Sequence, residues 1–270
     1  MGWIIFMNKE IKFALYATKK NIQNGAELRG SFLMNVFGMA INNIAFIFLW
    51  VYFIKSVGVV GGWTAADIIG LQAFVAIGYG LVFSTMMGIR KIPEYISFGS
   101  FDRYLLSPKN LLVRIATASF NASAIGDLIF GLICFVVYAF LIPFSFYQFV
   151  MMVILIFFAT LALLSMSILI GATSFFFVDP DSVTRGFFDL FITPSMFHGG
   201  AFQGGLRFVF TFLIPSLVIG ALPVEAVRTL SFEKFILVGV LSFIWFFISL
   251  KFFRYAIKKY ESSNFMTFGN

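Results

Sequence analysis

Charge is what this chain has least of. Of 270 residues only 11% are Asp, Glu, Lys or Arg, while 60% are hydrophobic. A soluble domain draws about a quarter of its residues from the charged set to keep its surface in water, so an all-round aqueous surface is excluded. Histidine and cysteine occur once each, as His198 and Cys134. One cysteine inside an apolar block excludes a disulfide framework and a thiolate metal site, and one isolated histidine excludes a histidine-based centre, so no metal is expected. No hydrophilic stretch is long enough for a separate catalytic domain. No G-x-x-x-x-G-K-[ST] sequence is present, so the chain has no phosphate cradle of its own. No nucleophile, base and metal-ligand set gathers at one membrane face, which argues against an enzyme acting on lipid. A cleaved signal peptide is not expected either, because the apolar run before Lys9 is short and the lysines follow it.

What is present is long apolar blocks, rich in the chain's 40 phenylalanines. Blocks near 32–54, 66–89, 121–143, 148–177, 184–204 and 235–255 approach or exceed the ~20 residues needed to cross a bilayer as helix. The expected fold is therefore an all-α polytopic membrane protein with six transmembrane helices, forming a single transmembrane domain over 1–270. With the N-terminus inside, all basic residues fall on the inner side except Lys55, Arg207, Arg228 and Lys234, and both termini are cytoplasmic at the cell membrane. The net charge of +7 is thereby a topology signal rather than a nucleic-acid surface. A seventh apolar stretch, 206–222, would reverse this polarity if it crossed. It is short, contains Pro215 and is flanked by Arg207 and Pro223, so it is expected as an outer re-entrant hairpin or interfacial segment.

The polar segments carry their own signals. Residues 8–30 intersperse Lys9, Lys12, Lys19 and Lys20 with Ile11, Leu15 and Tyr16, the pattern of an amphipathic helix lying at the lipid interface. Between the second and third spans, Gly99 and Ser100 can start a short helix with Asp102 in its first turn, and Ser107–Pro108 can cap the next one. A cytoplasmic helix over 100–106 is expected, exposing Phe101, Tyr104 and Leu105 either as a docking knob for a soluble partner or as side chains that pack on lipid head groups. Asp127 and Asp189 lie in or beside apolar blocks, where an ionisable group raises a pathway role. A structural role is favoured for both, Asp127 lying near the interface and Asp189 within reach of a neighbouring helix, with the pathway role as the alternative. Pro194 and the glycines at 199, 200, 204 and 205 are expected to break the fifth helix, and Gly126, Gly131 and Gly171 to serve close helix packing. His198 is expected hydrogen-bonded at the hairpin bend.

Three stretches together resemble the permease subunits of the type-2 ABC transporter family, exporter-like: GAELRGSFLMN (Gly25–Asn35), GSFDRYLLSPKN (Gly99–Asn110) and the run from Thr193 to Arg228 with its Pro194, Arg207, Pro215 and Pro223. The sequence departs from the family pattern at Val224-Glu225-Ala226 after Pro223 and at Phe101, where Leu is commoner. The resemblance implies a dimeric pathway, formed with a second copy or a related permease, and separate ATP-binding subunits holding ATP and Mg2+; this chain would bind no cofactor and hydrolyse nothing. It further implies ATPase coupling through Phe101, Asp102, Arg103, Tyr104 and Leu105. The interface helix would make a second contact through Lys12, Tyr16, Lys19, Glu27 and Arg29. The rival expectation is a stand-alone carrier or channel using Asp127 and Asp189 as ion or proton sites. Against it, neither internal repeats nor a set of intramembrane ionisable groups is present.

Overall fold

A computed structural model describes residues 2–59, 61–106, 108–143 and 145–260, with side chains from Lys9 onward and not at Val57. Every regular element among them is a helix. Five helices are long and apolar enough to cross a membrane, judged by length and composition. They are α2 (Arg29–Val57), α3 (Ala65–Thr85), α7 (Ser123–Leu141), α8 (Phe146–Thr173) and α12 (Phe232–Ile257). Five of the six expected spans are thus present within a few residues of their expected bounds.

The expected fifth span differs. Residues 184–204 do not form one apolar helix: α9 is Pro180–Ser195, only 16 residues, or about 24 Å of helix. Pro180 starts it at the first helical position, and Pro194 and the glycines after it stop it. The segment from mid-α9 to the residues just past it nevertheless runs along α3. Phe188 packs edge-on against Phe83, near the α3 C-terminus, at 5.7 Å. Just past α9, His198 lies 6.2 Å from the ring of Trp63, which precedes α3.

The central helix is α3, buried along most of its length. Thr64 and Asp67 start it with a reciprocal capping box, and Ser145 and Gln148 start α8 in the same way. Helix α7 runs antiparallel to α3 at close range because a glycine meets a bulky group at each level: Gly70 against Tyr138, Gly80 against Leu128 and Gly131 against Ile77. Without water to drive helices together, such close van der Waals contact is what holds them. On its other side α7 meets α2 where Gly126 rests on Val36 and Met39. A Cβ at Gly126 would collide with the Val36 carbonyl oxygen. Gly126→Ala is therefore expected to pry α2 from α7 at a cost of about 1–3 kcal/mol. A melting temperature equal to the parent's in the same detergent would overturn this.

At the end of the bundle where α3 finishes, three short helices lie in sequence: α4 (Ile92–Ser97), α5 (Asp102–Leu105) and α6 (Leu111–Ala116). The long N-terminal helix α1 (Gly2–Glu27) packs on this group. At the opposite end the chain makes α10 (Gly204–Phe208), a π-helical continuation to Leu213, an irregular stretch, and α11 (Ala221–Thr229). Leu217, Val218 and Ile219 of that stretch are buried in the main core, and Gly220 packs against Leu71 and Val75, deeper in α3 than its first turn. Helix α11 then returns, bringing Arg228 back to the α3 start.

Candidate functional site

A short helix is present in the segment expected at 100–106, with its aromatic side chains turned the other way. The helix is shorter than 100–106, spanning Asp102–Leu105, and Ser107, expected as the next cap, lies outside the described residues. Phe101 and Tyr104 were expected to project outward; both are buried instead. Phe101 is 0% exposed and sits among Phe175 at 5.1 Å, Tyr260 at 4.8 Å and Tyr104 at 6.4 Å. Asp102 accepts a 2.8 Å hydrogen bond from the Tyr260 hydroxyl, tying this short helix to the residues after α12. Arg114 donates to the carbonyls of Arg103 and Tyr104 and also lies over the Tyr104 ring. The physical reason is that two aromatic rings on a four-residue helix gain more from an apolar socket beneath them than from water above.

What the cap exposes is Phe98 at 83%, Leu106 at 87% and Leu105 at 44%, with Arg103 beside them. Leu105 was anticipated; Phe98 and Leu106 were missed. No signal in the sequence separates Phe98 from Phe101, which lie three residues apart.

Helix α1 shows two faces. Glu10 accepts from the Asn110 amide at 3.3 Å, Asn21 donates to the Thr117 carbonyl at 2.8 Å, and Gly25 packs on the Phe120 ring. The other face leaves Ile11, Leu15 and Tyr16 exposed together with Lys12, Lys19, Lys20 and Glu27, and Arg29 is exposed at the start of α2. That second face has the apolar-plus-lysine composition of a surface lying on lipid head groups. Lys20 also lies 5.9 Å from the Tyr16 ring.

The two aspartates have different surroundings. Asp127 is buried at the α2–α7 contact, where Oδ1 accepts from Asn43 at 2.6 Å and Oδ2 has no partner among the described residues. Asp189 is exposed on α9. It belongs to a stripe of Ser182, Gly186, Asp189 and Thr193, spaced i, i+4, i+7 and i+11, all facing away from the bundle. The buried face of α9 carries Thr184, Phe188, Phe191 and Ser195. Helix α2 has a matching feature. Among its described side chains only Val36 and Ile54 are buried, and Ser31, Asn35, Gly38, Asn42 and Ala45 form a small, polar exposed stripe. At the Trp63 end, Trp50 of α2 packs edge-on at 5.7 Å against Phe197, just past the end of α9.

At that end two ionic clamps hold the 204–229 segment. Glu225 is buried and accepts from Arg207 at 2.7 Å and from Lys234 at 2.8 Å. Arg228 reaches the Gly62 carbonyl at 2.6 Å and the buried Asp67 at 3.0 Å, with its guanidinium 5.7 Å from the Trp63 ring. Arg207 also donates to the Gly199 carbonyl. Burial alone would raise the Glu225 carboxyl, but the bonds from Arg207 and Lys234 outweigh it and hold it below the ordinary carboxylate value. Of the hairpin residues expected to matter, Arg207 is in this clamp and Pro223 lies in α11, while Pro215 lies in the irregular stretch before it. Pro194 ends α9. Glu225 stood out in sequence only as a departure from the family pattern. His198 is buried between Trp50 and Trp63, and its Nδ1 lacks the hydrogen bond expected of it among the described residues. No group of three or more His, Cys, Asp or Glu side chains able to hold a metal occurs among the described residues.

Five long apolar helices, and a surface helix with a lysine-rich face, define a multi-pass membrane protein. The sequence profile of the ABC-2 family transporter proteins matches residues 40–264, and the chain belongs to that family, the membrane permeases of ABC transporters. Comparison with curated proteins and with solved structures gives no match.

Proposed function

We propose that this chain is the membrane-spanning subunit of an ATP-driven exporter. Two copies, or this chain and a related permease, enclose the substrate route, and separate ATP-binding subunits carrying ATP and Mg2+ dock at the α5 end. In this reading the α5 end is cytoplasmic, both termini lie there, and the chain sits in the cell membrane. Six segments cross, with α9 as the fifth despite its length, and 204–229 is a hairpin re-entering from the outer face. Export is the direction of the transporters whose permeases the sequence motifs resemble.

The observation that carries the reading is the exposed polar stripe on α9 together with the one on α2. An aspartate facing hydrocarbon costs about 2.5–3.5 kcal/mol even on the mildest scales, so Asp189 belongs against a second subunit or a water-filled route. Asn42 and Asn35 follow the same logic. Asp127, closed between two helices, belongs to packing. The cap supports the docking half: Phe101 and Tyr104 anchor it from within, leaving Phe98, Leu105 and Leu106 for the ATPase, with Asp102 and Arg103 fixing its orientation.

The test begins with mild-detergent purification of the tagged chain and mass spectrometry of what stays bound, expecting a near-stoichiometric P-loop ATPase. Single cysteines at Asn42 and Asp189 on a Cys134→Ala background are then expected to cross-link between copies and to react with water-soluble thiol reagents. Ion-driven transport that depends on Asp189 and needs no ATPase would overturn the proposal in favour of a stand-alone carrier.

A further inference from the structure

A cavity of about 260 Å³ lies between the α3 C-terminal turn, α4, α8 and the first turns of α9. Its lining includes Arg90, Glu94 and Thr184 on the polar side and Ile170 and Phe188 on the apolar side. Thr184 and Phe188 belong to the buried face of α9, so this cavity lies on the far side of that helix from the Asp189 stripe.

The charges in it are unequally committed. Asp181 and Arg185, which also line it, neutralise each other at 2.6 Å. Arg90 is held rigid: it donates to the Tyr79 hydroxyl at 3.0 Å, and its guanidinium lies 4.0 Å from the Phe188 ring centre and 5.4 Å from that of Phe83. None of these neutral partners cancels its charge. Glu94, four residues on in the first turn of α4, likewise makes no ion pair among the described residues. A pre-oriented cation and an uncommitted carboxylate on the wall of one cavity are complementary to a ligand carrying both signs. The volume falls below the ~300–1,000 Å³ of pockets that enclose a drug-sized molecule, which fits a head group rather than a whole amphiphile.

We propose that this cavity binds a zwitterionic head group of the phosphoethanolamine kind, the phosphate on Arg90 and the primary ammonium on Glu94. The ligand is either the head group of a phospholipid or a free phosphodiester of the same chemistry. If the α5 end is cytoplasmic, as proposed above, the cavity opens at the inner-leaflet head groups; the binding chemistry does not depend on that orientation.

The full-length chain, purified with whatever subunits accompany it, is tested by thermal unfolding and native mass spectrometry. It is compared in nanodiscs of phosphatidylethanolamine, phosphatidylcholine and phosphatidylglycerol, and in detergent with glycerophosphoethanolamine. Phosphatidylethanolamine is expected to be retained and to stabilise most, because the quaternary ammonium of choline cannot donate to Glu94 and glycerol carries no cation. Glu94→Gln is expected to erase the preference for ethanolamine over choline, and Arg90→Gln to weaken both about tenfold, the loss of a charge-assisted hydrogen bond. Arg90→Lys keeps the charge should the glutamine variant fold poorly, and is expected to retain the preference in weakened form. Protection by glycerophosphoethanolamine alone identifies a free ligand, and protection by bilayer lipid alone identifies a lipid site. Equal retention of the three lipids by the wild type, or an unchanged preference in Glu94→Gln, overturns the proposal.

Discussion

Phe101→Ala is expected to destabilise the protein by about 3–5 kcal/mol, the usual cost of removing a fully buried Phe side chain, and to release the cap without touching any partner directly. Phe101 has no exposed surface and contacts Tyr104, Phe175 and Tyr260 at once, so the cavity left behind would be lined by all three rings. Loss of ATPase stimulation in such a variant would report a collapsed cap rather than a missing contact. The informative partner experiment is Phe98→Ser combined with Leu106→Ser. Both side chains are more than four-fifths exposed, at 83% and 87%, so their effect on melting should stay within about 0.5 kcal/mol. Stimulation of the ATP-binding subunit should instead fall by at least about tenfold, as expected when anchors of a small interface are removed. Wild-type stimulation in the double variant would refute Phe98 and Leu106 as the docking knob, and a wild-type melting temperature for Phe101→Ala would refute its structural role.

The second large effect is expected at Glu225. Removing it as Glu225→Ala takes away the carboxylate that Arg207 and Lys234 share, leaving Arg207 only its bond to the Gly199 carbonyl. Breaking a mostly buried pair costs about 3–5 kcal/mol; the lower end applies because the two cations keep 36% and 34% of their side-chain surface in solvent. Glu225→Gln keeps an acceptor and should cost about 1–2 kcal/mol. The pH dependence has a definite sign. The folded carboxyl titrates below its ordinary value of 4.5, so the clamp contributes fully above that value and is lost as the pH falls through the lower folded one. Thermal melting from neutral pH into the acid range should therefore show a loss of stability below pH 4.5 that is smaller in Glu225→Gln. An equal acid loss in parent and variant would remove Glu225 from this role.

The membrane class, five of the helices and the positions of their breaks were legible because composition and block length act locally: about twenty apolar residues form a spanning helix whatever surrounds them. The family was legible too, since its Gly and Pro positions mark turns that the backbone alone requires. The stripe spacing on α9 is also written in the sequence, although the apolar block at 184–204 reads there as a full span. The inside-out cap was not legible. Phe101 and Phe98 are the same residue type three apart on a short segment, and only the presence of Phe175 and Tyr260 beneath one of them decides which is buried. Asp127 and Asp189 were equally ambiguous as isolated carboxylates in apolar blocks. Asn43, 84 residues away in sequence, assigns the first to a helix contact, while no element among the described residues buries the second. The sequence by itself determined a basic-ended, lipid-embedded bundle of the ABC-2 family, because hydrophobic length and charge placement need no tertiary information. Which aromatic anchors the cap, and that Glu225 and Asp67 fasten the returning segment, only the tertiary structure decided, because burial and ion pairing belong to pairs of residues that the chain brings together from far apart.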